Sequence, residues 1–281
     1  MMNITTLLPN DLFNDQVVFI TGGGSGINLG IARCFAALGA NLGICGRSAE
    51  RLQDATRELE ELGADVVAVP ADVRDAEALQ RALEETRDAI GPVNHLVCGA
   101  AGNFPCPAEE LSPGGFKAVV DIDLLGSFNA SRAAFDQLKE TRGTLLFISA
   151  GMSFVPYALQ AHVCAAKAGI DQMMRTLALE WGRYGIRVNS IAPGPIADTE
   201  GMRRLAAGDE QLDRQLQAAI PLGRYGTVDE IGHAAVFLAS PLAAYITGTL
   251  LVVDGGQNLP GSGAMSRVIG EAAQRQRAAG G

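Results

Sequence analysis

The residues best placed to do chemistry lie first between positions 21 and 27. There Thr21-Gly22-Gly23-Gly24-Ser25-Gly26-Ile27 follows an apolar run, Val17–Ile20, and opens a helix-period segment. Glycines at such a turn let the backbone approach a pyrophosphate, and a helix N-terminus offers unpaired N–H groups and a positive dipole end. The same pattern also serves as a tight strand–helix turn with no ligand. The next strand ends in Cys45-Gly46-Arg47-Ser48. An acidic residue at that point would receive a ribose 2′-hydroxyl, whereas Arg47 offers a guanidinium fork to a 2′-phosphate, which favours NADP(H) over NAD(H). A solvated loop charge is the plainer alternative. Asp72, closing a third strand, is placed to accept from an adenine amino group or to cap a helix.

These residues need a scaffold, and the apolar pattern supplies one. Strands are predicted at Val17–Ile20, Asn41–Cys45, Asp65–Val69, His95–Val97, Thr144–Ile148, Arg187–Ile191 and Leu250–Val253. Helices are predicted at Ile27–Leu38, Ala49–Leu62, Asp75–Ile90, within Pro113–Thr141, and at Gln160–Tyr184 and Val228–Leu238, with Gly39, Gly63 and Gly91-Pro92 as stops. Strand–helix alternation demands right-handed crossovers and a parallel sheet. The expected architecture is α/β, a single Rossmann-type doubly wound parallel sheet. Residues 1–13 read as an N-terminal extension, 14–257 as the dinucleotide-binding catalytic domain, and 258–281 as a tail. A polar stretch, Thr199–Leu216, interrupts the rhythm and reads as a small insertion, about 197–219, over a site at the strand ends.

Of the 281 residues, 48% are hydrophobic and 5% aromatic, and 34 are glycine, a balance that suits a tightly wound α/β protein more than an aromatic-rich sandwich. Lys and Arg number 22 against 31 Asp and Glu, a net charge of −9 that argues against bulk nucleic-acid or anionic-membrane partners. No apolar run reaches the length of a membrane span. Residues 1–16 lack a basic start followed by an apolar block, and the terminal Arg-Ala-Ala-Gly-Gly shows neither lipidation box nor peroxisomal address. The five cysteines, Cys34, Cys45, Cys98, Cys106 and Cys164, have no C-x-x-C spacing and read as reduced thiols of a cytoplasmic protein. His95 and His233 lack metal-spaced companions, so no metal site is expected.

The glycine motif, together with Gly99-Ala100-Ala101-Gly102, Lys167, Arg187-Val188-Asn189-Ser190, Pro193-Gly194 and Asp254-Gly255-Gly256, resembles the short-chain dehydrogenase/reductase superfamily over roughly residues 14–256. A narrower set is similar to 2,4-dienoyl-CoA reductases, most of all the peroxisomal type. It comprises Ala100-Ala101-Gly102-Asn103-Phe104, Leu111-Ser112-Pro113, Asp121-Ile122-Asp123, Pro193-Gly194-Pro195-Ile196 and Thr199-Glu200-Gly201-Met202-Arg203-Arg204-Leu205. The resemblance implies cofactor contacts at Gly22, Gly24, Ser25, Gly26, Ile27, Arg47, Ser48, Asp72, Val73, Lys167, Pro193, Gly194 and Ile196. It implies acyl-CoA contacts at Arg74, Phe104, Ser112 and Arg204, and a homotetramer built through the two long helices and the last strand.

The departures from the superfamily carry as much information. Its general-acid Tyr stands four positions before the helix Lys, where this chain has Val163; its partner Ser stands where this chain has Ala150. Without phenol and hydroxyl, ordinary carbonyl reduction lacks its proton donor. Tyr157 lies ten before Lys167, outside one-turn spacing, and reads as pocket lining or core. The third fingerprint glycine is replaced by Asn28, and the Asn-rich strand end by Cys98-Gly99. Where the superfamily carries an Asn in an Asn-x-x-Gly context, this chain carries Asp123-Leu124-Leu125-Gly126, as peroxisomal-type dienoyl-CoA reductases do. The implied catalytic arrangement pairs Asp123 with Lys167 around a bound water that relays a proton. A surface helix position balanced by Lys117 is the plainer reading of Asp123, although Asp suits helix interiors poorly and its neighbours are apolar. His162, five before Lys167, reads as pocket lining or structural. The implied activity is NADPH-dependent reduction of a 2,4-dienoyl-CoA to a 3-enoyl-CoA. The alternatives are another oxidoreductase of the superfamily, acting on a conjugated thioester or carbonyl, and a catalytically silent nucleotide-binding homologue.

Overall fold

Seven strands run β1 (Val17–Thr21), β2 (Asn41–Gly46), β3 (Val66–Pro70), β4 (Val93–Cys98), β5 (Thr144–Ile148), β6 (Arg187–Pro193) and β7 (Leu250–Val253) in the computed structural model, which describes residues 4–199, 202 and 210–259. They form one sheet in the order β3-β2-β1-β4-β5-β6-β7, and every neighbouring pair is parallel. β1 and β5 are buried at all five positions, the pattern of central strands covered on both faces. The helices are α1 (Gly26–Ala36), α2 (Ala49–Glu60), α3 (Ala76–Ile90), α4 (Pro113–Val120), α5 (Gly126–Thr141), α6 (Ala161–Trp181), α7 (Glu210–Ala218) and α8 (Val228–Ala239).

One face of the sheet packs against α1, α2 and α8 through Ile31, Phe35, Leu52, Leu59, Ile231 and Val236. The other packs against α3, α5 and α6 through Leu79, Leu83, Ala134, Leu138, Ile170 and Met174. The expected doubly wound α/β architecture is therefore observed. Its consequence is positional: the chain winds outward from β1 to β3, then returns to place β4 on the other side of β1. The crevice outside the C-terminal ends of β1 and β4 is the topological switch point, where such sheets bind ligands. No helix among the described residues is long and apolar enough to cross a membrane.

Two features differ from the sequence-based expectation. The helix expected within 113–141 is divided by a π-helical turn, Asp121–Leu125, between α4 and α5. A π turn holds more residues per turn than α-helix and re-aims the side chains it carries, often at functional sites. Here it carries Asp123 to full burial while Leu125 is 43% exposed. Second, residues 4–13 pack onto the domain: Ile4 and Phe13 both belong to the core. The Phe13 ring sits edge-on to Phe35 and His95, with centroids at 4.9 and 5.4 Å.

His95 is buried and fully bonded. Its Nδ1 lies 2.7 Å from Thr144 Oγ1 and its Nε2 lies 2.7 Å from Gln16 Oε1. Burial, with the Arg187 charge in support, pushes its pKa down to about 3. The folded protein therefore resists a proton that the unfolded chain accepts near pH 6.5. Stability from this site is complete above about pH 6.5 and falls as pH drops toward 3, by up to about 1.4 kcal/mol per pH unit. Thermal melts between pH 7 and pH 4 should show this acid-side slope in the native protein and a shallower one in His95→Leu; equal slopes would contradict the assignment.

Candidate active site at the ends of β1 and β4

The turn after β1 is an open cradle. Gly22 has φ +72° and Gly26 φ +57°, left-handed values that favour glycine. A Cβ on Gly26 would meet nothing within 4 Å, so the space beside it is free. Ser25 is the N-cap of the 11-residue α1, yet its side chain makes no capping hydrogen bond. The first N–H groups of α1 thus remain available to an anion. These residues fit the pyrophosphate of a dinucleotide.

The two cofactor-loop departures prove to be one feature. Asn28 Nδ2 donates to the carbonyl of Gly99 at 2.9 Å and to that of Gly22 at 3.3 Å. A Cβ on Gly99 would lie only 2.0 Å from Asn28 Oδ1, so the larger residue at one position requires the smaller at the other. Thr21 Oγ1 accepts from the N–H groups of Gly99 and Ala100 at 3.1 and 3.2 Å, tying the same two loops together.

At the end of β2, Arg47 is exposed and Ser48 caps α2, accepting from the Arg51 N–H at 3.3 Å. Asp72 does not cap α3; Asp75 does. The Asp72 carboxylate instead accepts from the Arg74 backbone N–H and guanidinium, with an ion-pair contact of 2.6 Å. The Arg74 hydrogen bonds, aided by the Arg47 charge, hold its pKa near 2. Val73 is buried between this pair and Gly126. On the far side, Gly194 donates to the Val253 carbonyl at 3.0 Å, following Pro193 at the end of β6. The Ile196 side chain is 3% exposed and belongs to the core, which leaves only its main chain to face a cofactor.

The acid–amine pair lies where the π turn meets α6. Lys167 Nζ stands 3.2 Å from Asp123 Oδ2, with the side chains 8% and 0% exposed. Lys167 also donates to the Ile148 carbonyl at 2.9 Å, at the end of β5. Asp123 Oδ1 accepts from the Gly102 N–H at 2.7 Å, while Oδ2 makes no aligned hydrogen bond despite its nearness to the ammonium. The two charged groups touch directly, which leaves no place for a water between them. Lys117 pairs with Asp121, not with Asp123. Val163, at the place of the superfamily Tyr, is buried.

Phe104 and Ser112 converge on Gly115, whose added Cβ would meet Phe104 Cζ at 3.2 Å and Ser112 Oγ at 3.3 Å. Phe104 is 38% exposed, and Ser112 caps α4. The Tyr157 hydroxyl donates to Asn258 Oδ1 at 2.7 Å, away from a proton-donor role at Lys167. Asn258 in turn donates to Asp254 Oδ2, so the first residues of the expected tail are held by the domain. Arg204 lies outside the described residues. Sequence reading gave no role to Asp171, one turn beyond Lys167, whose buried carboxylate oxygens have no hydrogen-bond partner among the described residues. Among the described residues no cluster of His, Cys, Asp or Glu is suited to a metal ion.

Residues 22–258 match the protein family described as enoyl-(acyl carrier protein) reductase. The chain is 45% identical over 250 residues to the peroxisomal 2,4-dienoyl-CoA reductase, (3E)-enoyl-CoA-producing, of Saccharomyces cerevisiae, covering 88% of this chain and 85% of that protein. It is 41% identical over 277 residues to the protein of the same description in Danio rerio, covering 98% and 92%. A solved short chain dehydrogenase from Bacillus anthracis superposes with a TM-score of 0.81 at 40% identity, covering 88% of this chain and 97% of that one. The relatives' named location overturns the cytoplasmic expectation: the yeast and zebrafish proteins are named peroxisomal. That expectation rested on free cysteines, which separate reducing from oxidising compartments and do not distinguish among reducing ones. Fold, glycine cradle, helix lysine and sequence identity converge: the chain is an oxidoreductase of the short-chain dehydrogenase/reductase superfamily and belongs to its 2,4-dienoyl-CoA reductase branch.

Proposed function

We propose that the protein reduces 2,4-dienoyl-CoA thioesters to 3-enoyl-CoA with NADPH. The observation that carries this reading is the buried contact between Asp123 and Lys167, at the switch-point crevice of a chain that lacks the superfamily's Tyr. NADPH held by the glycine cradle and Arg47 would supply a hydride to C5 of the conjugated chain. The rest falls to the protein. Electron density moves along the diene to the thioester oxygen, leaving a dienolate whose α-carbon needs a proton. Asp123 Oδ2 has acceptor capacity to spare, and Lys167 lies beside it. A water held there gives its proton to the α-carbon and regains one from the ammonium. The C3=C4 double bond remains, which gives the 3-enoyl product. A conjugated acceptor needs no strong acid on a carbonyl oxygen, so the loss of Tyr is chemically tolerable.

Arg47 supports the choice of NADPH by its exposed guanidinium at the end of β2. Arg74 contributes positive charge for the CoA phosphates from its pair with Asp72, and Phe104 with Ser112 forms the wall nearest the acyl thioester. Exposed apolar side chains, Phe128 on α5, Leu179 on α6 and Val252 on β7, support assembly as a homotetramer, which light scattering measures.

NADPH absorbance followed with 2,4-hexadienoyl-CoA, with a simple ketone and with neither tests the reading. Consumption with the dienoyl-CoA is expected; turnover of the ketone alone would reject it, and no turnover with either would favour a silent homologue. Arg47→Glu should raise KM for NADPH at least tenfold while leaving KM for NADH within about twofold. Equal effects on the two cofactors would mean that Arg47 does not read the 2′-phosphate.

A further inference from the structure

We infer that His162 donates a hydrogen bond to the thioester carbonyl oxygen of the substrate and so stabilises the charge that gathers there during reduction. The inference rests on the dienoyl-CoA reading above. His162 is the second residue of α6 and is fully buried. Neither of its ring nitrogens has a hydrogen-bond partner among the described residues. An imidazole carries at least one N–H in every protonation state, so at least one donor is buried and unspent. Leaving such a group unsatisfied costs about 1–3 kcal/mol, and an uncompensated case in a folded protein calls for an explanation. His95 shows the contrast: it is similarly buried, but both of its nitrogens lie 2.7 Å from partners.

The position of His162 identifies the acceptor. Its ring lies against Phe104, with centroids 4.5 Å apart. Phe104 stands two residues after Gly102, whose N–H fixes Asp123 Oδ1. Lys167 is five residues further along the same helix. Five residues turn an α-helix by about 500°, so the imidazole and Lys167 leave α6 on different sides. What carries the imidazole toward the substrate is its contact with Phe104, the wall nearest the acyl thioester in the reading above. A donor packed on that wall lies on the side of the site where the thioester oxygen sits. Charge on a dienolate oxygen is stabilised most by donors fixed in advance in a water-poor setting. Other buried polar atoms nearby lack partners too. Gln160 Oε1 is an acceptor and cannot do this work, whereas Ser149 Oγ is a hydroxyl and competes for the role.

His162→Phe keeps the ring and its packing on Phe104 but removes both nitrogens, while His162→Gln retains an N–H donor. Both are compared with Ser149→Ala for kcat and KM with 2,4-hexadienoyl-CoA, NADPH Kd by fluorescence titration, and Tm. The expected result is a fall in kcat of about 10²–10³-fold in His162→Phe, with NADPH Kd and Tm not worsened. His162→Gln should recover at least tenfold of that loss, and Ser149→Ala should stay within about threefold of the native kcat. A native-like kcat in His162→Phe overturns the inference. So does an equal loss in both His162 variants accompanied by a lower Tm, which marks packing, and so does transfer of the effect to Ser149→Ala. Failure of the native protein itself to oxidise NADPH with the dienoyl-CoA would instead remove the underlying functional reading.

Discussion

Lys167→Met should lower kcat by about 10²–10⁴-fold and also weaken the fold. Methionine keeps most of the volume but removes the charge, and three consequences follow from the geometry. The proton relay beside Asp123 loses its ammonium; the Ile148 carbonyl loses its donor; and the fully buried Asp123 carboxylate loses its counter-charge. Removing one member of a buried ion pair typically costs about 3–5 kcal/mol, because the other charge stays desolvated. In a domain of this size that corresponds to roughly 10 °C in Tm. Steady-state kinetics and thermal melts check both effects. The double variant Lys167→Met/Asp123→Asn should regain much of the stability but none of the activity, since neutralising both partners removes the unpaired charge without restoring a proton source. A single variant as stable as the native protein would show that the pair contributes no such coupling.

The second large effect lies far from the chemistry. Phe13→Ala should destabilise the protein by about 3–5 kcal/mol, as expected for deleting a fully buried aromatic ring. Phe13 is 1% exposed, and its removal strips an edge contact from Phe35 and another from His95, at the opposite end of β4 from the reacting groups. The measurement is a urea or thermal melt, with kcat at low temperature expected to be unchanged. An unaltered midpoint would mean that residues 4–13 are a bare extension after all.

These two sites show what could be read from the chain and what could not. β5 and β7 were legible to the residue, because short buried strands bounded by turn signals leave little latitude. The glycine cradle was legible because its chemistry is local. The π turn was not: its sequence, Asp121-Ile122-Asp123-Leu124-Leu125, has no composition that separates it from α-helix, and its geometry answers to packing against α6. The compensation between Asn28 and Gly99 spans 71 residues, so the two read as separate changes in backbone detail at the cofactor loops. Phe13 fell within what read as an N-terminal extension, residues 1–13, because only tertiary packing reveals that the ring closes the core beside Phe35. Asp72 and Arg74 were read as two independent ligands, yet side chains two apart at a strand end are close enough to satisfy each other first.

The central claim is that a buried carboxylate–ammonium pair supplies the proton that a phenol supplies in most of the superfamily. Asp123→Asn tests it most directly, since the amide keeps the shape of the side chain and an oxygen for the Gly102 N–H. The measurement is kcat for NADPH oxidation with 2,4-hexadienoyl-CoA, set beside the NADPH Kd of the same variant. The account predicts a loss of at least about a hundredfold in kcat with Kd unchanged. Turnover at the native rate would contradict it.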